Sequence, residues 1–351
     1  MYENNTRKCC INPYTNLEIV ESGKCYFCVA SFVKEPIGNI FEQDFDDIWY
    51  GEKAIEFRKS VLNGSYSKCD LKMCPMDENQ EKAFLEDDYL KPPYPKLVLL
   101  DYVRACNVRC MICRDNVLFE TKEDTEYYNQ FKDKIVNICS KADIVFLNGG
   151  GELFVSKHLR EVCHEIVDKN FRIKFFVCSN GLLFDENHVR DFNIVNNLGD
   201  VQISIHAASK KTYEKIVRGG NWDVLQKNLK YISELKKRKK IKCLYFNFVV
   251  HSLNYKEMPK FVKMAKKFGA IPSFWRFRSW KDDLVCENRS NNSNYEKYTV
   301  WEKDHKDYKK FLKVLKKLKG MNTEIRFWDS LFQKLYDEEK TGLRKLINFF
   351  K

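Results

Sequence analysis

From residue 97 onward, short apolar runs alternate with stretches whose apolar positions recur every three or four residues. The runs at 97–100, 144–147, 173–177, 201–205, 244–250 and 274–277 have the length of buried strands. Between them, four sets of residues each mark one face of a helix: Phe131, Ile135 and Ile138; Leu159, Val162, Cys163, Ile166 and Val167; Leu225, Leu229 and Ile232; Met258, Phe261, Val262 and Ala265. Strands that are apolar along their whole length are covered on both faces, so the alternation predicts a parallel sheet flanked by helices. An open doubly wound sheet and a partial barrel both satisfy this pattern. Either one gathers its functional loops at the C-terminal ends of the strands. The informative positions are therefore the loops after residues 100, 147, 177, 205, 250 and 277.

The pattern changes at both ends. Lys91 to Pro95 reads K-P-P-Y-P, a break in regular structure that marks a linker. The segment before it is rich in cysteine and turn residues, so 1–94 reads as a small separate domain and 95–280 as the α/β core. Beyond 281 the alternation stops. Residues 282–300 are polar, and Phe311, Leu312, Leu315 and Leu318 then mark an amphipathic helix with a lysine-rich opposite face. Leu343, Leu346, Ile347 and Phe350 mark a shorter one. Residues 281–351 are thus expected to form a helical extension, docked on the core by its apolar face, with weak contact to a membrane surface as the alternative.

At 44% hydrophobic residues over 351 positions, the chain can bury a sizeable core. It contains no apolar run long enough to span a bilayer, and its first ten residues are polar, so a cytoplasmic location is expected. The formal net charge is +12, drawn largely from lysine runs such as 236–240 and 309–319. No RNA-binding or helix-turn-helix signature accompanies this charge, so it reads as solvated helix faces and no nucleic-acid partner is expected.

Fourteen cysteines change the picture. In a reducing compartment, clustered cysteines bind metal or do chemistry more often than they form disulfides. Nine of them precede residue 114 in tight groups, while Cys139, Cys163, Cys178, Cys243 and Cys286 are scattered singly and read as small buried side chains. Cys106, Cys110 and Cys113 follow the first core strand as C-x3-C-x2-C. Thiolates select soft metals, so zinc and iron–sulfur are the candidates. A structural zinc site closes with four protein ligands, and no fourth cysteine follows before Cys139. A [4Fe–4S] cluster held by three cysteines keeps one iron open to a small molecule, which makes the site catalytic.

This triad, after the first strand of such a core, resembles that of the radical S-adenosylmethionine (radical SAM) superfamily. The resemblance implies a partial (β/α)6 barrel in which the open iron binds the amino and carboxylate groups of S-adenosylmethionine. One-electron reduction then yields methionine and a 5′-deoxyadenosyl radical, which takes a hydrogen atom from the substrate. Ile112 stands where the family often has an aromatic residue, beside the adenine. Gly149-Gly150-Gly151-Glu152 resembles the family's GGE motif, which assigns Gly150, Gly151 and Glu152 to the methionine ammonium, although Leu153 replaces the usual proline. Asn180, in Ser179-Asn180-Gly181, matches the segment near the ribose, and residues 247–250 match a further ribose and adenine contact. Ser204 and Arg218 match the pair that meets the carboxylate, for which a guanidinium fork is suited. His206 reads either as a substrate-pocket residue or as a structural histidine. If the reaction is an epimerisation, a thiol must return hydrogen, and Cys178 at the end of the third strand is the candidate, with Cys286 as a second.

Residues 1–90 hold Cys9, Cys10, Cys25, Cys28, Cys69 and Cys74, with a hairpin turn at Glu21-Ser-Gly-Lys24 and a closing Cys69-x4-Cys74-Pro. A segment this short gains stability from a metal. The order of these cysteines, with Gly38-Asn39-Ile40 and Ile48-Trp49 between them, resembles a SPASM-type auxiliary cluster domain. That domain normally follows the radical SAM core; here it comes first. The resemblance implies a second [4Fe–4S] cluster on Cys10, Cys28, Cys69 and Cys74, with Cys9 and Cys25 as substitutes. It also implies a reductant such as flavodoxin or ferredoxin, and a peptide, sugar or other small-molecule substrate. Two other classes stay open: a zinc-stapled nucleic-acid-binding module, and a non-catalytic iron–sulfur electron carrier. Neither needs the Gly-Gly-Glu loop, Ser204 or Arg218.

Overall fold

A computed structural model describes residues 6–71, 74, 82–86, 90–147, 150–278, 295–328 and 331–337. Cys286, Gly149 and the expected helix over 343–350 lie outside the described residues. The amino-terminal segment supplies β1 (Thr6–Cys10), β2 (Asn16–Val20), β3 (Lys24–Tyr26), β4 (Gly38–Asn39) and β5 (Lys82–Glu86). The core follows with β6 (Leu97–Asp101), β7 (Arg109–Cys110), β8 (Ile144–Leu147), β9 (Lys174–Ser179), β10 (Leu198–Ser204), β11 (Val217–Arg218), β12 (Leu244–Val250) and β13 (Ile271–Arg276). The last strand is β14 (Arg326–Phe327).

Among the described residues, ten strands form one sheet in the order β14-β13-β12-β10-β9-β8-β6-β2-β3-β4. Every pairing from β14 to β2 is parallel. Only the pairings β2–β3 and β3–β4 are antiparallel, so β3 alone runs against the rest of the sheet, as the hairpin turn requires. The architecture is therefore a mostly parallel α/β sheet with a helical C-terminal region. The sixth core strand starts at Ile271, earlier than the apolar run at 274–277 suggests, because Pro272 and Ser273 pair with β12 despite weak strand propensity.

The strands alternate between two environments. On one face Val145, Val177, Ile203, Phe246, Phe248 and Phe274 are buried. The helices Lys132–Ser140, Lys157–Lys169, Trp222–Lys237 and Met258–Lys267 turn their apolar stripes inward. Phe261 of the last of these packs edge-on to Phe248 at 4.8 Å between ring centroids. Polar side chains start the helices where strand-end loops give way: Ser156, Asp185, Ser209 and Asn221 each accept a backbone N–H of the first turn. The other face carries Cys178, Gln202, Ser204, Asn247 and Ser273, brought level by the strand register.

The helix Tyr308–Lys319 buries Phe311, Leu315 and Leu318. Phe311 lies 5.5 Å from Phe332 and 6.2 Å from Tyr255, so the apolar face is turned into the core; Lys309, Lys310, Lys313, Lys316 and Lys317 face out, while Lys319 lies over the Tyr336 ring. No helix among the described residues is long and apolar enough to cross a membrane.

Candidate cluster and cofactor site

The cysteine loop leaves β6 through Tyr102, Val103 and Arg104, all buried. Cys106 is fixed by a two-way backbone bridge: its N–H donates to the Leu118 carbonyl at 2.7 Å, and Leu118 N–H returns to Cys106 at 3.3 Å. Cys110 lies in β7, which pairs antiparallel with β11, setting Cys110 opposite Val217 and Arg109 opposite Arg218. The N–H groups of Cys113 and Arg114 both donate to the Cys110 carbonyl, at 2.9 and 3.0 Å, closing a tight turn. Burial pushes the Cys106 thiol up to about 11 and the Cys110 thiol well above its ordinary value. Cys113 adds like-charge repulsion to both. Three converging thiols whose charge is opposed by burial and by one another fit a cationic iron–sulfur centre, which reverses that balance.

The loop after β8 crosses directly over this segment. Glu152 N–H donates to the Ala105 carbonyl at 2.7 Å. A Cβ on Gly151 would fall far inside contact distance of that carbonyl oxygen, so only glycine lets the two backbones approach. Gly150 N–H donates to Asp101, and the Gly150 carbonyl accepts from the Arg114 guanidinium, which also donates to the Arg104 carbonyl at 2.7 Å. The Glu152 carboxylate is 2% exposed and accepts from Ser179 Oγ at 2.8 Å and Asn180 N–H at 2.7 Å. Burial raises its pKa to about 7, partly opposed by these hydrogen bonds. Asn180 in turn donates to Asn107 Oδ1 at 2.8 Å, inside the C-x3-C spacer. The ends of β8 and β9 and the cysteine loop are thus one hydrogen-bonded unit.

The remaining expected residues fall on the same rim. Ser204 ends β10, and Cys178 Sγ lies 3.9 Å from its Oγ. Burial raises the Cys178 thiol to about 11. Asn247 donates to Gln202 at 3.0 Å while its buried Oδ1 finds no partner. Arg218 is exposed, one residue across the ladder from Cys110, and Ile112 is buried within the cysteine loop. His206, at φ 62°, accepts the Val249 N–H on Nδ1 at 3.0 Å, and burial lowers its pKa to about 4.

In the amino-terminal segment, Cys10, Cys28, Cys69 and Cys74 influence one another. Burial pushes Cys28 up to about 12, with Cys10 and Cys74 adding repulsion and an Asn12 amide N–H at 3.3 Å opposing it. Burial likewise raises Cys69 to about 11, with Cys74 and Cys10 adding to it. Cys25 stands apart, its thiol donating to the Gly23 carbonyl of its own hairpin at 3.5 Å. Cys9 neighbours Tyr14 and Tyr66. Among the described residues no three His, Cys, Asp or Glu side chains close to the spacing of a single metal ion.

Two contacts missed by sequence reasoning tie this segment to the core. Arg104 Nε pairs with Glu21 of the β2–β3 turn at 2.9 Å, and Arg278, just past β13, lies over the Phe32 ring at 5.5 Å. Phe32 accepts the Asp70 N–H at 2.8 Å, next to Cys69. The segment therefore reaches both ends of the core's strand order.

Residues 101–265 match the family described as the radical SAM superfamily, and residues 9–75 match the iron–sulfur cluster-binding SPASM domain. A probable GTP 3′,8-cyclase from Methanocaldococcus jannaschii is 24% identical over 196 residues, which cover 53% of this chain and 60% of the relative. A solved structure of anSMEcpe with bound AdoMet is 19% identical, with a TM-score of 0.43, covering 66% of this chain and 60% of that one. The FeFe-hydrogenase maturase HydG from Carboxydothermus hydrogenoformans is 13% identical, with a TM-score of 0.41, covering 86% of this chain and 64% of that one. The chain thus spans 60% of the length of the curated relative it matches.

Proposed function

We propose that this chain, whose residues 101–265 match the radical SAM superfamily and whose residues 9–75 match the SPASM iron–sulfur domain, is a radical SAM enzyme, that Cys106, Cys110 and Cys113 hold its radical-generating cluster, and that it abstracts hydrogen from a small molecule, sugar or peptide. Those cysteines would hold the cluster, which with S-adenosylmethionine bound would supply a 5′-deoxyadenosyl radical on one-electron reduction. The observation that carries this reading is the convergence on one rim of the cysteine loop, the Glu152 loop, Ser204 and Arg218, built by backbone pairing from four separate parts of the chain.

In this reading the chain's residues do the following. Glu152, oriented by Ser179 and Asn180, receives the ammonium of the cofactor, and the Gly150-Gly151 backbone lets that group approach. Arg218 and Ser204 receive its carboxylate. Ile112 packs beside the adenine, and Asn180 and the unpartnered Asn247 Oδ1 offer hydrogen bonds to the ribose side. Cys10, Cys28, Cys69 and Cys74 hold the auxiliary cluster. The Arg278–Phe32 contact supports a position for it near the mouth of the core, where it can exchange an electron with a substrate radical or bind substrate. Cys178, 3.9 Å from Ser204 Oγ, is the candidate to return a hydrogen atom if the outcome is epimerisation. A flavodoxin- or ferredoxin-type reductant supplies the electron. The distant likeness to a GTP 3′,8-cyclase puts nucleotides among the candidate small molecules.

The test is anaerobic reconstitution with iron and sulfide, then reduction in the presence of S-adenosylmethionine. About eight irons per chain and formation of 5′-deoxyadenosine are expected. Cys106→Ala should lose about half the iron and all of the 5′-deoxyadenosine. A colourless protein with stoichiometric zinc, or a brown one that leaves S-adenosylmethionine intact, overturns the reading.

A further inference from the structure

The strand register extends the inner face of the sheet beyond the rim described above. Ser204 is level with Asn247, Asn247 with Ser273, and Ser273 with Arg326. Two residues further toward the strand ends, Val249 is level with Trp275. Trp328 follows β14 and donates its N–H to the Phe274 carbonyl at 3.2 Å, which brings it beside Trp275. Phe274 and Phe327, on the alternate positions, stack on each other at 5.6 Å on the opposite face. Trp275, Arg326 and Trp328 therefore share the face that carries Cys178 and Ser204.

These side chains form an ordered row. The two indoles stack with centroids 5.4 Å apart and planes within 14°. Arg326 donates to Tyr245 Oη at 3.1 Å, and its guanidinium lies 5.1 Å from the Tyr245 ring and 5.2 Å from the Trp328 ring. The Trp275 indole N–H donates to Ser273 Oγ at 3.1 Å, which fixes the ring's orientation. Trp328, on the β14 side, takes one face of Trp275. On the β12 side Val249 stands level with Trp275, which is only half-buried. Two strand steps across and two residues along the strand separate it from Ser204, roughly 12 Å at the usual strand dimensions. Both tryptophans and Arg326 also lie outside residues 101–265, the part shared with the superfamily.

We infer that Trp275, backed by Trp328 and steadied by Arg326 and Tyr245, is the stacking platform for a planar aromatic ring of the substrate, held beside the position where the radical forms. A preorganised indole with its plane already fixed gains stacking free energy without ordering a loop. The division of labour follows from the chain: the shared segment carries the radical chemistry, and the strands after it carry recognition. A nucleobase and the aromatic side chain of a peptide present the same planar ring, so the ligand class is defined by that ring.

This inference rests on the proposed function for its location, but its test does not need turnover. Reconstituted holoenzyme with S-adenosylmethionine and no reductant is titrated calorimetrically with guanosine 5′-triphosphate and, separately, with N-acetyl-L-tryptophanamide. Saturable binding of one probe is expected, and which one identifies the source of the ring. Trp275→Ala should weaken that binding tenfold or more, Trp275→Phe should keep most of it, and S-adenosylmethionine affinity should be unchanged in both. Failure of both probes to saturate, or equal affinity in Trp275→Ala for the probe that binds, overturns the platform. Absence of 5′-deoxyadenosine on reduction, with probe binding intact, would instead count against the proposed function.

Discussion

At the scale of single residues, Glu152 gives the sharpest expectation. Its carboxyl is buried and titrates near 7, against 4.5 for an ordinary glutamate. Between those values the cofactor-free folded chain holds a proton that the unfolded chain has lost. This group's contribution to stability is therefore full below about pH 4.5 and disappears as pH rises through 7. The role proposed for Glu152, receiving the cofactor ammonium, demands the opposite state, the carboxylate. Affinity for S-adenosylmethionine should accordingly fall as pH drops below 7, by up to about tenfold per unit. Calorimetric titration from pH 8 to pH 5 checks this, and Glu152→Gln should bind weakly with no such slope; the same slope in both would assign it to another group. Gly151→Ala tests the neighbouring backbone. The added methyl meets the Ala105 carbonyl, which is main chain and cannot swing away, so a loss of about 1–3 kcal/mol in thermal unfolding is expected together with lost cofactor affinity. The cysteine spacing and the Gly-Gly-Glu loop were legible in the sequence because their chemistry is written in residue type and short separation. Arg104, Arg114 and Asn107 were not, because their partners Glu21, Gly150 and Asn180 are distant in sequence.

At the scale of elements, all six core strands were legible to within three residues at either end, and so were the amphipathic helices, because period and burial coincide there. The two-residue ladder β7–β11 was not. It carries no periodic signal, and it exists because the loop after β6 and the end of the helix Lys210–Ile216 are brought together by the sheet. β14 likewise has only Arg326 and Phe327 to announce it. The ion pair between Arg104 and Glu21 is the testable link between elements, since it joins the β2–β3 turn to the cysteine loop with Arg104 largely buried. Glu21→Gln should destabilise by about 1–2 kcal/mol, more than a surface pair does, because it leaves a buried guanidinium less compensated. In a double-mutant cycle with Arg104→Met, chemical denaturation should show less than the sum of the single effects. Strict additivity would mean that the turn and the loop do not depend on each other.

At the scale of the whole molecule, the proline-rich stretch at 91–95 reads in sequence as a linker between independent parts, yet the sheet runs across it. β2 pairs with β6 over five residues, Asn16 with Leu97 through Val20 with Asp101, so the first core strand is an interior strand only because the amino-terminal segment is present. Leu17, Ile19 and Val20 are buried, as are Val98 and Leu100 beside them. Burial of each such side chain is worth roughly 1.5–3 kcal/mol. A core cut off before residue 95 therefore exposes a comparable apolar area along an unpaired strand edge, a cost of several kcal/mol against a typical total stability of only about 5–15. It also loses the Arg104 and Arg278 contacts. An edge of this kind, apolar and without a covering element, invites pairing between chains. Residues 95–351 expressed alone should thus elute as aggregate, and the full chain should unfold in one calorimetric transition. A truncated chain that is monomeric by size exclusion, with native far-ultraviolet circular dichroism, would show that the sheet continuity is incidental and that the two parts fold separately. The register itself argues against that outcome. A parallel pair formed by strands some eighty positions apart has to overcome the entropy of closing that loop, and the burial on both sides of β6 is what offsets it.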